Sequence, residues 1–311
     1  MNGNLGGIQR ANEKNLQEFT RIAGKVDIIH AQVCHKAGLI ARWLSKKYRI
    51  PYVITEQMSP FPFPQILKNG RLSSRYAQAY QAASTNIAIS PDLRDKMKKL
   101  GIPRVVVVPN LTDELFFLPA SKKQDRSFTF FTLCDMREQK DLPTLFKAIA
   151  CLLEKKPSVR FRIGGGGEMF VTWKNLADHM GLSPFVTWLG PLDRQQARFE
   201  FQQAHAFVLP SIHETLGVVF LEAIACGIPV IGTRCGGPES IINDENGILV
   251  EVGNPIALCD AMEALMDNYL TYDANKIRKS FLARFSVAPV CTQLEEIYKH
   301  ITSKKTSLLA L

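Results

Sequence analysis

Two glutamates eight positions apart, Glu214 and Glu222, have the surroundings that most clearly point to chemistry. Glu222 is the only charged residue in the stretch 216–226, which is helical by composition and is followed by Gly227, a residue that fits a left-handed helix cap. A helix that is apolar on every face belongs in a core, where an ionised carboxylate is costly unless it is hydrogen-bonded or paired. Glu222 is therefore expected to face something polar, either a ligand or a neighbouring arginine or backbone amide.

Glu214 lies in the loop HETLG, between a predicted strand at 206–209 and the helix that carries Glu222. In an open parallel sheet, ligands bind beyond the carboxyl ends of the strands, where helix N-termini present free backbone N–H groups. The amides of residues 215–217 are placed to hold an anion or a hydroxyl group beside Glu214. The alternative is a solvated or capping side chain.

Two cations, Arg137 and Lys140, lie in the loop CDMREQK, which follows a predicted strand at 127–133 and precedes a predicted helix. Cationic side chains in such a loop stabilise negative charge on a bound ligand. The spacing alone fits two solvated loop cations equally well.

Short β-branched runs alternate with helical stretches along the chain. This alternation is typical of α/β proteins with doubly wound parallel sheets, and the apolar runs VVVVP and FVLP indicate strands buried on both faces. The predicted strands are residues 26–33, 52–55, 86–90, 105–108, 127–133, 159–163, 185–189, 206–209, 229–233 and 247–250. The polar run PASKKQDR, residues 119–126, marks the predicted boundary between two α/β lobes.

The composition is that of an ordinary globular protein, with 46% hydrophobic and 22% charged residues over 311 positions. No apolar run approaches the roughly 20 residues of a membrane span, and MNGNLGGIQR does not read as a secretory signal, so a cytoplasmic protein is expected. The net charge of +9 suits an anionic ligand or an anionic membrane surface, or is simply a solvated basic surface. No basic stripe alternates with aromatic residues, so nucleic acid is not an expected partner.

The seven cysteines are an odd number without any C-x-x-C spacing, and most have apolar neighbours. We expect reduced core thiols and no metal site.

The Glu214–Glu222 pair is embedded in LPSIHETLGVVFLEAIACGIPVIGTRCGGPESI, and the segments IGGGGE, VTWLG and VPN lie before it in the order VPN, IGGGGE, VTWLG. Together they resemble the donor-binding signature of family 4 of the retaining GT-B glycosyltransferases, the glycosyl transferases group 1. The resemblance implies two doubly wound Rossmann-like lobes facing a cleft, with the N-terminal lobe incomplete. It assigns 1–119 to an acceptor-side lobe, 120–285 to a nucleotide-sugar donor-binding lobe and 286–311 to a C-terminal helix and tail, with packing of that helix on the first lobe as a hypothesis.

By this resemblance, Glu214 contacts hydroxyl groups of the donor sugar, Glu222 holds the nucleotide ribose, and Lys140 stabilises the diphosphate. The family's usual Gly-Arg or Gly-Asn is here Cys134-Asp135, so Arg137 is the candidate for the second cation. The other implied donor-binding residues are Thr215, Leu216, Gly217, Gly190, Pro191, Leu192, Gly164, Gly236 and Gly237. No metal and no cofactor are expected, because the nucleotide-diphosphate sugar is a co-substrate and GT-B enzymes generally work without a bound metal.

The sequence departs from the family pattern on the acceptor side. The first clear strand begins near Val26, so the chain is interpreted as a fragment, a misplaced start or a reduced enzyme. Gln57 follows Thr-Glu where relatives often carry a histidine, and glutamine cannot act as a base. The acceptor-side candidates are His30, His35 and Gln57.

The function predicted is transfer of a sugar, with retained configuration, from a nucleotide sugar to a saccharide or lipid-linked acceptor. Peripheral contact with the inner membrane surface is a hypothesis, because family members often use lipid-linked acceptors. Two alternatives stay open: a non-catalytic nucleotide-sugar-binding module or inactive fragment, and another GT-B activity such as a sugar-nucleotide epimerase.

Overall fold

The structure, a computed structural model, describes residues 5–120 and 127–308. The chain divides into two compact units. Unit 1 combines Met1–Pro109 with Cys291–Leu311, and unit 2 is Asn110–Val290.

The division between the units falls before the polar run 119–126 that predicts it, and residues 121–126 of that run lie outside the described part of the chain. The segment ahead of the run belongs to unit 2, because Arg278 donates hydrogen bonds of 2.8 Å to the carbonyls of Glu114 and Phe117. These contacts join residues more than 160 positions apart, so local composition does not reveal them.

Unit 1 is built on a four-stranded parallel sheet with the order β1-β2-β5-β6. Its strands are β1 Ile29–Gln32, β2 Tyr52–Glu56, β5 Thr85–Ala88 and β6 Val105–Val107, with a small antiparallel hairpin of β3 Leu67–Lys68 and β4 Arg71–Leu72. Its helices are α1 Leu5–Ala23, α2 Leu39–Tyr48, α3 Ser74–Ala82 and α4 Pro91–Lys99, and most of the C-terminal helix α11 Val287–Leu308 belongs to this unit. The helix α1 has no counterpart among the predicted elements, and none of its residues is buried.

Unit 2 is built on a six-stranded parallel sheet with the order β12-β11-β10-β7-β8-β9. Its strands are β7 Thr129–Leu133, β8 Arg160–Gly164, β9 Val186–Gly190, β10 Ala206–Leu209, β11 Val230–Thr233 and β12 Gly247–Val250. Its helices are α5 Leu142–Lys155, α6 Phe170–His179, α7 Arg194–Gln203, α8 Val218–Ala225, α9 Pro255–Asp267 and α10 Ala274–Phe285. The chain order reverses between the neighbouring strands β7 and β10, which makes this pair the topological switch point of a doubly wound sheet.

The core of unit 2 fixes the helix α8 against the centre of the sheet. The strands β10 and β11 are buried along their whole length, as the apolar runs predict. Phe220 of α8 packs edge-on against Phe207 of β10 with ring centroids 5.3 Å apart, and Phe207 packs in turn against Phe201 of α7. Aromatic side chains of this size bury large areas, so the position of α8 is set by packing.

The helices α5 and α9 are joined by a disulfide between Cys151 and Cys259, whose Cα atoms are 6.2 Å apart. The expectation that all seven cysteines are reduced is therefore wrong for this pair, which lies 108 positions apart in the sequence. Within the described ranges, no helix is both long and apolar enough to span a membrane.

Candidate functional site

An ion pair marks the switch point of unit 2. Lys140, in the loop after β7, donates a hydrogen bond of 2.5 Å from Nζ to Oε1 of Glu214, in the loop after β10. The two side chains are only 14% and 8% exposed, and Ser211 Oγ donates to the same carboxylate oxygen at 2.9 Å. The strand order thus brings together two charged residues that are 74 positions apart, at the edge of the sheet where ligands of such folds bind.

The loop that carries Glu214 is hydrogen-bonded to the loop that follows β11. Glu214 forms a parallel bridge with Gly236, and Gly237 N donates to Glu214 O at 2.9 Å. A Cβ atom on Gly237 would lie 2.4 Å from Leu216 Cα, so only glycine allows this approach of the two backbones.

The loop that carries Lys140 is held by the glycine turn after β8. Met136 N donates to Gly166 O at 2.7 Å, and Gly165 adopts a φ of +113° with its α-carbon against the backbone of Cys134. A Cβ atom on Gly165 would lie 1.9 Å from the carbonyl oxygen of Cys134. The glycine turn therefore packs against the loop that carries Lys140, and Gly165, Gly166 and Gly167 also line the adjacent cavity.

A cavity of about 650 Å³ opens beside the ion pair. Its volume is within the range of ordinary ligand pockets. It is lined by Leu133, Cys134, Asp135, Lys140, Gly165, Gly166, Gly167, Pro191, Leu192, Glu214, Gly217, Val218, Val219 and Glu222. The structure thus brings Glu214, Glu222 and Lys140 to one cavity, and their roles in donor binding stay predictions.

Glu222 projects from α8 into this cavity and is half-buried. Within the described residues its carboxylate has no hydrogen bond and no ion pair, and Arg194 is the arginine whose charge acts on it. Burial raises its pKa from 4.5 to about 7, and the charge of Arg194 acts in the opposite direction. A carboxylate in this position is available to accept hydrogen bonds from ligand hydroxyl groups.

The predicted donor-binding residues divide into two groups. Gly217, Pro191 and Leu192 line the cavity. The others lie outside that lining: Thr215, Leu216, Gly164, Gly190, Gly236 and Gly237. Among these, Gly164 packs beneath Leu192, and Gly236 N donates to the carboxylate of Glu239.

Arg137 also lies outside the cavity lining, although it is only three positions from Lys140. Its Nε pairs with Asp135 Oδ2 at 2.7 Å, and its side chain is 63% exposed. The structure therefore separates the two predicted cations into a buried one beside the cavity and an exposed one at its outside.

The acceptor-side candidates lie in unit 1, at or near the carboxyl ends of β1 and β2. Both ring nitrogens of His30 are engaged, Nδ1 with Tyr298 OH at 2.5 Å and Nε2 with Thr55 Oγ1 at 2.7 Å, and burial lowers its pKa. Gln57 Nε2 lies 3.4 Å from Gln32 Oε1.

His35 lies in the loop after β1 and forms a hydrogen bond of 2.9 Å between Nδ1 and Tyr76 OH. Its pKa is lowered, first by burial and then by the charges of Lys36 and Arg75. The ring also packs edge-on against Phe63. The neutral imidazole is therefore favoured in this loop.

Sequence reasoning missed a buried carboxylate in unit 1. Glu56, at the end of β2, is 1% exposed and accepts hydrogen bonds from the amides of Cys34, Gln57 and Met58 and from Tyr80 OH, at 2.7 to 3.2 Å. It ties together the loops after β1 and β2 and the helix α3. In the sequence, the position of Glu56 at the end of an apolar strand is the only signal that indicates a buried, hydrogen-bonded carboxylate.

The sequence profile described as "Glycosyl transferases group 1" matches residues 114–280, and one described as "Glycosyl transferase 4-like domain" matches residues 5–111. The first match covers more than half of the chain. The chain belongs to the glycosyl transferases group 1 family.

Curated relatives include the D-inositol 3-phosphate glycosyltransferase of Corynebacterium jeikeium, 30% identical over 166 residues. That alignment covers 50% of this chain and 40% of the relative. One component of the phosphatidylinositol N-acetylglucosaminyltransferase of Arabidopsis thaliana is 23% identical over 285 residues, which are 88% of this chain and 62% of the relative. The chain thus spans less than two thirds of the length of these two proteins.

Similar solved structures include the sucrose-phosphate synthase of Thermosynechococcus elongatus, with a TM-score of 0.76, 20% identity, and coverage of 96% of this chain and 79% of that one. The Anabaena protein HepE in complex with UDP gives a TM-score of 0.77 at 19% identity, over 93% of this chain and 81% of HepE. The chain has the GT-B fold, and the predicted α/β fold class with parallel sheets is confirmed.

Proposed function

We propose that this chain is a glycosyltransferase that binds a nucleotide-diphosphate sugar in the cavity of unit 2 and transfers the sugar to an acceptor. The observation that carries the proposal is the convergence of Lys140, Glu214 and the unpartnered Glu222 on one cavity at the switch point. Membership of the family supports the same reading. The names of the relatives and the UDP in HepE guide the choice of ligands to test.

Lys140 is the cation proposed to stabilise the departing nucleoside diphosphate. Its ammonium group lies in a mostly buried position, where a charge acts more strongly on a ligand than it does in water. The ion pair with Glu214 keeps the ammonium group at the cavity wall before the donor binds. Arg137 is proposed as a second and weaker contact, since it is exposed and already paired with Asp135.

The two glutamates are proposed to bind the two sugars of the donor. Glu222 accepts hydrogen bonds from the ribose hydroxyl groups, which would satisfy a half-buried carboxylate that has no partner among the described residues. Glu214 has one oxygen turned to Lys140 and Ser211, and its second oxygen is proposed to accept from a hydroxyl group of the transferred sugar. Gly217 and the segment 190–192 are proposed to contact the donor through their backbones.

We extend the proposal to retention of configuration and to catalysis without a bound metal, as the family resemblance implies. Hydrolysis of the donor tests both without knowledge of the acceptor. With an α-linked donor, proton NMR should show the α-anomer of the free sugar first, and EDTA should leave the rate unchanged. A β-anomer as the first product would contradict retention of configuration. A rate abolished by EDTA and restored by a divalent cation would contradict catalysis without a bound metal.

The acceptor is proposed to be a saccharide or a lipid-linked saccharide bound by unit 1, with peripheral contact to an anionic membrane surface. Unit 1 carries 20 lysines and arginines against 8 aspartates and glutamates, a net charge of +12. Such an excess attracts anionic lipid headgroups. Flotation with anionic vesicles should carry the protein upward at low salt and not with neutral vesicles. Protein that stays at the bottom with both would remove the membrane part.

The donor site is tested by thermal unfolding and calorimetry with UDP, GDP, ADP and their sugar conjugates. A ligand at 100 times its dissociation constant adds roughly 2.7 kcal/mol to the unfolding free energy. Glu222→Gln should weaken the nucleotide that binds best by about 10- to 100-fold, because hydrogen bonds to a charged group contribute roughly 1.5–3 kcal/mol. Glu154→Gln, which changes an exposed glutamate of α5 outside the cavity, is the matched control.

If no nucleotide binds to a cooperatively folded protein, the glycosyltransferase proposal is refuted. If a nucleotide binds equally well to the wild type and to Glu222→Gln, the role of Glu222 is refuted. Tight binding without any transfer or donor hydrolysis would instead favour the binding module. The engaged nitrogens of His30 and the glutamine at position 57 are the observations that favour this second candidate.

A further inference from the structure

A second cavity is lined entirely by residues of unit 1. It has a volume of about 1020 Å³ and lies between the edge strand β6 and the part of α11 that belongs to this unit. It also reaches the amino ends of β2 and β5, where Pro51 and Ser84 contribute to its wall. Ligands of open α/β sheets bind at the carboxyl ends of the strands, so the part of this cavity at the amino ends of β2 and β5 lies outside the usual ligand site.

The walls of the cavity are mostly apolar. Consecutive valines of β6 form one wall, and Ile297 and Ile301 of α11 form the other. The run VVVV predicts a strand buried on both faces, yet Val106 is 39% exposed in the structure. An apolar edge strand that faces open space is unfavourable in water and exposes a row of unpaired backbone groups. The valine run is explained if an apolar ligand covers it.

The rim of the cavity is basic. Arg49 and Arg104 are exposed lining residues, and both occupy backbone positions with positive φ, 56° and 51°. Arg104 donates hydrogen bonds to the carbonyl of Ala83, which fixes its guanidinium group at the rim. Arg49 has no hydrogen bond or ion pair in the part of the chain that the structure describes. Glu296 is the acidic residue of the lining, so the two arginines leave the rim positive.

We propose that this cavity binds an anionic single-chain amphiphile, with the hydrocarbon chain between β6 and α11 and the anionic headgroup at Arg49 and Arg104. The apolar walls select the chain, and the arginines select a phosphate or carboxylate headgroup. The volume is at the upper end of the range for ligand pockets, which suits a long flexible chain. The site is independent of the donor site, because every lining residue belongs to unit 1.

The probes are octyl phosphate, decyl phosphate and decyl maltoside, each below its micelle-forming concentration, with binding measured by calorimetry on the whole chain. Each methylene buried in an apolar site strengthens binding about fourfold, so decyl phosphate should bind about 15-fold more tightly than octyl phosphate. The neutral decyl maltoside should bind more weakly than decyl phosphate. The headgroup contribution should decrease with added salt, as exposed charge interactions do.

Two pairs of variants locate the site. Ile297→Trp fills the cavity from α11 and should abolish binding, whereas Ser303→Trp, on the same helix but outside the lining, should leave it unchanged. Arg49→Gln should weaken decyl phosphate about fivefold, in keeping with an exposed charge pair, and should not change decyl maltoside. Thermal unfolding is measured on every variant to show that the chain is folded.

Equal affinities for octyl and decyl phosphate would contradict burial of the chain. Equal loss of binding in Ile297→Trp and Ser303→Trp would place the amphiphile elsewhere. A self-associated protein that Ile297→Trp converts to a monomer, with no amphiphile binding by the wild type, would show that a second copy covers the valines and would overturn the proposal.

Discussion

Both units are built from parallel strands joined by helices, but the surroundings of their carboxylates differ. Those of unit 2 line a cavity, whereas that of unit 1 is enclosed by hydrogen bonds. In unit 2 the strand order reverses between β7 and β10, and Glu214 and Glu222 lie at a cavity beside that point. In the described part of unit 1 the four parallel strands follow one another in chain order, and Glu56 is enclosed by four hydrogen bonds. A reversal sends neighbouring loops to opposite faces and opens a crevice between them. In unit 1 the amides of the loops after β1 and β2 instead donate to the carboxylate of Glu56.

The units also differ in charge. Unit 1 has a net charge of +12, whereas unit 2 has 18 lysines and arginines against 21 aspartates and glutamates, a net charge of −3. The basic character of the chain therefore comes from unit 1. Among the described residues that line the cavity of unit 2, Lys140 is the one cation, whereas the positive charge of unit 1 is spread over many lysines and arginines.

The largest effect is expected for Lys140→Met. Donor turnover should decrease by about 10²- to 10³-fold, because one preorganised charge at the leaving group is lost. The variant also leaves Glu214 without its cation in a mostly buried position, so the unfolding free energy of unit 2 should decrease by about 3 kcal/mol. Donor hydrolysis and urea unfolding followed by a probe in unit 2 measure the two effects.

The matched control is Lys155→Met, which breaks an exposed ion pair between Lys155 and Glu263. It should cost less than about 1 kcal/mol and leave turnover unchanged. If both variants lose turnover to the same degree, the ion pair at the switch point contributes no more to turnover than an exposed ion pair does. The functional difference drawn between the two units would then be wrong.

A pH dependence is expected from Glu222, the carboxylate that faces the cavity. Its pKa is raised from 4.5 to about 7 by burial, so the folded state holds its proton more tightly than the unfolded state does. The resulting stabilisation is complete below pH 4.5 and is lost as the pH rises through 7. Over this window the unfolding free energy of the wild type should decrease by about 3 kcal/mol relative to that of Glu222→Gln. Parallel curves for the two proteins would show that burial does not perturb this carboxyl group.

The counterpart in unit 1 is Glu56→Gln. The amide places an N–H donor against groups that themselves donate, so we expect a loss of about 3 kcal/mol in local stability. Hydrogen exchange should accelerate at the amides of Cys34, Gln57 and Met58, while the nucleotide affinity of unit 2 changes less than about twofold. A large decrease in nucleotide affinity with unchanged exchange at these amides would reverse the roles assigned to the two carboxylates.

The extent to which these features can be predicted from sequence follows from how local they are. The spacing of Glu214 and Glu222, with a turn and an apolar helix between them, is contained in one short segment, and it predicts both carboxylates at one ligand site. The alternation of strands and helices predicts the parallel sheets for the same reason. The roles of the two glutamates in donor binding stay predictions.

Features that depend on distant partners could not be predicted. The hydrogen-bond partners of Glu56 include Cys34 and Tyr80, more than 20 positions away in different elements. The strand order that brings Lys140 to Glu214 depends on which strands pair, so the periodic pattern does not give it, and only the family resemblance places both residues at one site. The disulfide between Cys151 and Cys259 likewise requires knowledge that α5 lies beside α9.

The smallest effect is expected for Arg137→Gln, which tests whether the charge that matters is the buried one. Arg137 is 63% exposed and pairs with Asp135, so solvent screens its interaction with a bound diphosphate. Its removal should raise the dissociation constant of the nucleotide about three- to fivefold, and 0.5 M salt should abolish the difference. Calorimetry at two salt concentrations measures both. If the effect of Arg137→Gln on the donor were as large as that of Lys140→Met, Arg137 would have to leave Asp135 and enter the cavity with the donor. In that case, calorimetry on Asp135→Asn would show tighter nucleotide binding.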